Sequence, residues 1–67
     1  MSYKKLRGKI KEKFGRQDLF ADAMEMHNST LSAKLTKRSD WTRSEMEKAC
    51  ILLEISFEEI PSYFFIQ

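Results

Sequence analysis

A chain of 67 residues has room for one domain, near the lower limit of what a hydrophobic core stabilises without disulfides or metal ions. Its 42% hydrophobic and 33% charged residues exclude a disordered chain, and one cysteine with one histidine excludes a disulfide framework and a structural zinc site. No apolar run approaches the roughly 20 residues of a membrane span. We therefore expect one cytoplasmic domain over residues 1–67, with no membrane association, no metal and no cofactor.

Charge is unevenly distributed along the chain, although the net charge is only +2. Residues 1–16 carry seven basic residues against Glu12, a net charge of +6, whereas residues 44–67 carry five glutamates against Lys48, a net charge of −4. Such segregation predicts one surface that meets polyanions and another that repels them. The alternative is a basic helix face that is only solvated, and charge alone leaves both open.

Apolar spacing predicts three helices in the first half of the chain. The first spans about 4–14, with Ser2 as its N-cap and Gly15 as its C-cap, because four apolar residues share one stripe: Tyr3, Leu6, Ile10 and Phe14. The second is predicted over residues 17–24. The third is predicted over residues 28–36.

In the second half, residues 36–41 are predicted to form a loop. Thr42 and Glu45 have the spacing of a capping box, which starts a fourth helix that runs to about Glu54. On this helix we expect Met46 to pack in the core, as we do for Met24 on the second helix. Cys50 lies on the apolar stripe and is expected to be a small buried hydrophobe, not a nucleophile.

A second capping box is possible at Ser56 and Glu59, before a short fifth helix that stops near Pro61. The predicted fold is therefore all-α, a compact bundle of about five short helices. Residues 63–66 are four apolar residues in a row, and something must cover them. They close the core or form a twofold interface of a homodimer on DNA, and the sequence leaves both open.

Two short helices joined by a turn and preceded by a basic helix are the parts of a helix-turn-helix unit, here about residues 17–36. Gln17 stands at its first position, the small Ala21 at its fifth and the aliphatic Leu31 at its fifteenth. These residues resemble the Cro and repressor family of temperate phages, whose fold is the lambda repressor-like DNA-binding domain. The later runs 29–35, 40–42 and 47–50 resemble small Cro-like proteins of phages or prophages of Gram-positive bacteria.

The chain departs from the family in the turn. Glu25 occupies the ninth position, where the family usually has glycine at φ > 0, a backbone conformation that costs other residues of order 1 kcal/mol. Either the turn differs or the strain is tolerated. His27 stands where the family often has a serine or threonine N-cap, so Asn28 or Ser29 is expected to cap the third helix instead.

The resemblance implies that the third helix lies in the major groove of duplex DNA. Asn28, Ser29, Ser32 and Ala33 would then face bases, while Gln17, Lys37, Arg38 and Arg43 would contact phosphates. Gln17 would also buttress Asn28. The implied function is a sequence-specific, Cro-like transcriptional repressor in the bacterial cytoplasm, at the nucleoid.

A second function fits the same fold: an antirepressor or modulator that binds a phage repressor protein. Glu25 in the turn, the small side chains of the third helix and the apolar tail favour it, whereas the basic first helix disfavours it. An enzyme is not expected, because the sequence contains no nucleophile with a base, no metal-ligand set and no phosphate-binding loop. Trp41 is interpreted as a core residue and not as a base-stacking one.

Overall fold

All regular structure in the computed structural model, which describes residues 3–65, is helical. The elements are α1 (Lys4–Phe14), α2 (Gln17–Ala23), α3 (Asn28–Leu35), α4 (Arg43–Leu53), a 3-10 turn (Phe57–Glu59) and α5 (Ile60–Phe64). No β-strand occurs among the described residues. The predicted all-α fold with about five short helices is confirmed.

The core lies where the apolar faces of the five helices meet. α1 packs against α2, α4 and α5, and α2 packs against α3. The helices contribute these buried apolar side chains: Leu6 and Ile10 from α1, Phe20 and Ala21 from α2, Leu31 and Leu35 from α3, Met46, Ala49, Cys50 and Leu53 from α4, and Ile60, Tyr63 and Phe64 from α5. Tyr3, Met24 and Ile55, which lie outside these helices, are buried as well. None of the helices described between residues 3 and 65 is long and apolar enough to cross a membrane.

The helix ends follow the local sequence signals. Gly15 has φ 83° and its N–H donates to the Lys11 carbonyl at 2.9 Å, which ends α1. The predicted capping box is present at α4, where the Glu45 N–H donates to Thr42 Oγ1 at 3.2 Å and the Thr42 N–H donates to Glu45 Oε1 at 2.9 Å. Ser2, the predicted cap of α1, lies outside the described residues.

The prediction for the fifth helix was wrong at Pro61. Pro61 lies in the first turn of α5, which continues to Phe64. Proline suits this position because its missing N–H would have no partner within the helix there. Ser56 does cap the preceding 3-10 turn, but its Oγ accepts from the Glu58 N–H at 3.2 Å, and not from Glu59 as a capping box requires.

The apolar tail contributes to the protein's own core. Tyr63 and Phe64 are buried, and the Phe64 ring meets Trp41 edge-on at 5.0 Å between centroids. Trp41 also meets Tyr3 at 6.4 Å, which confirms its interpretation as a core residue. Phe65 is 59% exposed. Ile66, the last residue of the predicted tail, lies outside the described residues.

Replacing Phe64 and Phe65 in turn tests which part of the tail closes the core. Phe64→Ala is expected to lower the free energy of unfolding by about 3 kcal/mol, because a buried aromatic ring is lost. Phe65→Ala is the control and should change it by less than about 0.5 kcal/mol. Urea unfolding followed by circular dichroism measures both, and equal losses would contradict this division of the tail.

Candidate functional site

α2 and α3 are joined by a turn with a strained residue at its centre. Glu25 has φ 64°, a left-handed conformation, at the position where the Cro and repressor family usually has glycine. The Met26 N–H donates to the Ala21 carbonyl at 3.0 Å across this turn. The Glu25 carboxylate lies 3.3 Å from Lys48 Nζ, and this ion pair links the turn to α4. Of the two predicted alternatives, the turn tolerates the strain.

The start of α3 differs from the prediction. His27 is the residue before the helix and has extended backbone angles, with no side-chain capping hydrogen bond. Asn28 and Ser29 therefore lie within the first turn and do not cap it, which corrects the prediction. The Asn28 Oδ1 instead accepts a hydrogen bond from Gln17 Nε2 at 3.2 Å, the contact that the resemblance implied.

The four residues predicted to face bases lie along one side of α3. Asn28 and Ser29 are exposed, whereas Ser32 and Ala33 are half-buried. Asn28 and Ser32 are four residues apart, as are Ser29 and Ala33, so each pair lies on the same face of the helix. α3 thus presents a short polar surface with small side chains, and the role of these residues in contacting DNA stays a prediction.

The four predicted phosphate contacts lie on different elements of the fold, and their role stays a prediction. Gln17 begins α2, and Lys37 and Arg38 follow the end of α3, where Arg38 Nε donates to Thr36 Oγ1 at 3.1 Å. Arg43 begins α4 and pairs with Glu47 at 3.0 Å. Arg43 also lines a groove between α4 and α5.

Carboxylates lie beside the start of α3. Asp22 and Glu25 line one shallow depression together with Met26 and His27. Asp18, one helical turn before Asp22, forms an ion pair with Arg16 at 2.6 Å, and this hydrogen bond holds the pKa of Asp18 below its ordinary value. Negative charge at this position opposes the approach of a phosphate backbone.

Several basic side chains of α1 already contact other groups of the same protein. Two of its lysines form ion pairs, Lys13 with Glu54 at 3.2 Å and Lys9 with Glu12 at 3.7 Å. Arg7 donates to the Leu35 carbonyl at 3.3 Å. Lys5 donates to Ser62 at 3.2 Å and lies 4.6 Å from the Tyr63 ring centre. The predicted polyanion-binding surface therefore has less free charge than the sequence indicates.

Sequence patterns missed a buried cation. Lys34 is 6% exposed, and its Nζ lies 3.0 Å from Glu45 Oε1 and 2.8 Å from the Asp40 carbonyl. Burial raises the pKa of Glu45, but hydrogen bonds from the Thr42 N–H and from Lys34 lower it more, so the pKa lies below its ordinary value. The available signal was the position of Lys34 three residues after Leu31, on the apolar stripe.

A family model described as "Protein of unknown function (DUF739)" matches residues 1–67. The chain belongs to the DUF739 family. A comparison with curated proteins gives no match.

Among solved structures, this member of the family is similar to the modulator of repression (MOR) of the temperate bacteriophage TP901-1 from Lactococcus lactis, known from a solution structure. The two chains are 44% identical, the match covers 96% of this chain and 86% of that chain, and the TM-score is 0.86. The resemblance to proteins of temperate phages is thereby supported. Its narrower assignment to the Cro type stays a prediction.

The strain at Glu25 can be released by substitution. Glu25→Gly is expected to make the protein about 1 kcal/mol more stable than Glu25→Ala, because glycine adopts φ 64° without a steric penalty while alanine keeps it. Both variants lose the pair with Lys48, so alanine is the matched control. Thermal unfolding of the two variants measures the difference, and an alanine variant as stable as the glycine variant would refute the strain.

The Lys34–Glu45 pair predicts a loss of stability in acid. Because folding lowers the pKa of Glu45 below its ordinary value of 4.5, the stability that the pair contributes is present above that pH. It is lost as pH falls through the lower pKa of the folded protein. Glu45→Gln should lower the free energy of unfolding by about 2 kcal/mol at pH 7 and by less at pH 3. Urea unfolding at several pH values measures this, and parallel pH profiles would contradict it.

Proposed function

We propose that this protein is a modulator of repression that acts by binding the repressor protein of its own phage or prophage. The observation that carries the proposal is the 44% identity to the TP901-1 modulator over 96% of this chain, with a TM-score of 0.86. The similarity extends over nearly the whole chain and is not confined to the α2–turn–α3 unit. It favours the modulator over the Cro-like repressor.

The surface of α3 supports the same proposal. Its small side chains are the hydroxyl groups of Ser29 and Ser32 and the methyl group of Ala33. Such groups discriminate poorly between base pairs. Asp22 and Glu25 place carboxylates next to this surface. A protein that binds a repressor needs no base-reading side chains, and carboxylates at this position oppose the approach of a phosphate backbone.

A second candidate function is a DNA-binding repressor, and one observation favours it. The bond from Gln17 to Asn28 fixes an exposed amide at the start of α3, and asparagine can pair with the N6 and N7 atoms of adenine. The nearby Lys37 and Arg38 are exposed cations that suit phosphates. On this alternative, α3 would lie in the major groove of an operator.

Direct binding to the repressor tests the proposal. The purified chain is titrated into the purified repressor of the same phage or prophage by calorimetry, and the mixture is analysed by light scattering after gel filtration. We expect a complex of defined stoichiometry, with a loss of operator binding or a change in it when the chain is added to a repressor–operator complex.

Titration of the chain alone into labelled DNA separates the second candidate. Binding to operator DNA that falls steeply with salt and is lost in Asn28→Ala would indicate a DNA-reading repressor, since neutralised phosphates release counterions. No complex with the repressor, together with such DNA binding, would refute the modulator proposal. Asn28→Ala should leave the free energy of unfolding nearly unchanged, because Asn28 is exposed.

A further inference from the structure

A groove between α4 and α5 leaves large apolar side chains in contact with solvent. Phe57 is 49% exposed and Phe65 is 59% exposed, although both are large hydrophobic residues. The α4–α5 groove is lined by Arg43, Met46, Phe57, Ile60, Pro61 and Phe65. Exposed apolar side chains that line one groove mark an interaction surface more than scattered ones do.

One further large apolar side chain is exposed on α4, beyond the groove. Ile51 is 68% exposed and follows Arg43 and Glu47 at intervals of four residues, so the three share one row of the helix. Arg43 lines the groove at the start of this row. A bound segment of a few helical turns could therefore cover the groove and continue towards Ile51.

Two glutamates, Glu58 and Glu59, lie between the groove residues Phe57 and Ile60, and we call them the acidic rim. Neither carboxylate is in an ion pair among residues 3–65. Arg43, the cation in the lining, is already paired with Glu47 at 3.0 Å.

This charge decides between two occupants. A second copy of the chain related by a twofold axis would bring Glu58 and Glu59 close to the same residues of its partner, and like charges at an interface are costly. A segment with an apolar side and basic flanks would instead bury Phe57 and Phe65 and pair with the free carboxylates. The groove thus fits a basic amphipathic partner better than it fits itself.

We propose that the α4–α5 groove is the surface that holds the repressor, and that the bound segment of the repressor is amphipathic and basic. Its apolar side chains lie against Phe57 and Phe65, and its lysine or arginine side chains lie towards Glu58 and Glu59. This inference rests on the proposed function, because it names the surface through which the modulator contacts the repressor. It leaves the α2–turn–α3 unit outside the contact.

Two kinds of variant test the groove by calorimetry with the purified repressor. Phe57→Ser with Phe65→Ser removes the apolar anchors, and Glu58→Lys with Glu59→Lys reverses the rim without removing an apolar contact. Each double variant is expected to weaken binding at least about tenfold. Leu19→Ser is the matched control, because Leu19 is an exposed apolar residue on α2, at 44%, and should change binding less than about twofold.

The rim variant should also reduce the effect of salt on binding. Added salt is expected to weaken the wild-type complex, whereas it should weaken the Glu58→Lys, Glu59→Lys complex less, because the attraction across the interface has been removed. Circular dichroism and thermal unfolding check that every variant is folded. The rim variant keeps the groove testable even where the double serine variant is destabilised.

The outcomes separate the groove from the proposed function. If the wild-type chain binds the repressor and both groove variants bind as tightly as Leu19→Ser, the groove proposal is overturned while the modulator proposal stands. If the wild-type chain binds no repressor, both are overturned. Sedimentation that finds a wild-type dimer, lost in Phe57→Ser with Phe65→Ser, would assign the groove to a second copy and overturn the repressor as its occupant.

Discussion

An ion pair with one buried partner, Lys34, holds α3 in position. Lys34 on α3 reaches Glu45 in the first turn of α4, and the same Glu45 carboxylate accepts the Thr42 N–H of the capping box. Lys34 also donates to the Asp40 carbonyl, so one ammonium group ties α3 to the connecting loop as well. Removal of Glu45 would leave the buried ammonium group of Lys34 without its counter-charge. The orientation of the candidate surface on α3 therefore depends on a residue that faces away from it.

Sequence patterns predicted those helix boundaries and apolar faces that depend on residues close together in the chain. The capping box at Thr42, the left-handed glycine at Gly15 and the apolar stripes each involve residues within four positions of one another, and each was found as predicted. Pro61 shows the limit of this approach, because proline is compatible with both the end and the first turn of a helix. Only the packing of Tyr63 and Phe64 into the core decides between them.

The candidate site was predicted less completely, because it depends on contacts between distant parts of the chain. The sequence gives α1 a net charge that suits a polyanion, but Arg7 is directed to the end of α3 and Lys13 to the end of α4. The sequence also groups Arg43 with Lys37 and Arg38, while the structure places Arg43 beside Phe57 and Phe65. A count of charged residues does not show whether a basic side chain pairs within the protein or is available to another molecule. The bond between Gln17 and Asn28 was predicted only because a family resemblance supplied the distant contact.

The skeleton of the α2–turn–α3 unit and its surface are under separate physical constraints. Ala21 and Leu31 are fully buried, and their size sets how closely α2 and α3 cross. Glu25 adopts the left-handed turn that this crossing needs, even without glycine. The exposed residues of α3 contribute little to that packing, so they can change without loss of the fold. The surface of the α2–turn–α3 unit can therefore change while its buried residues keep the fold, and the proposed binding of a partner through the α4–α5 groove is compatible with this separation.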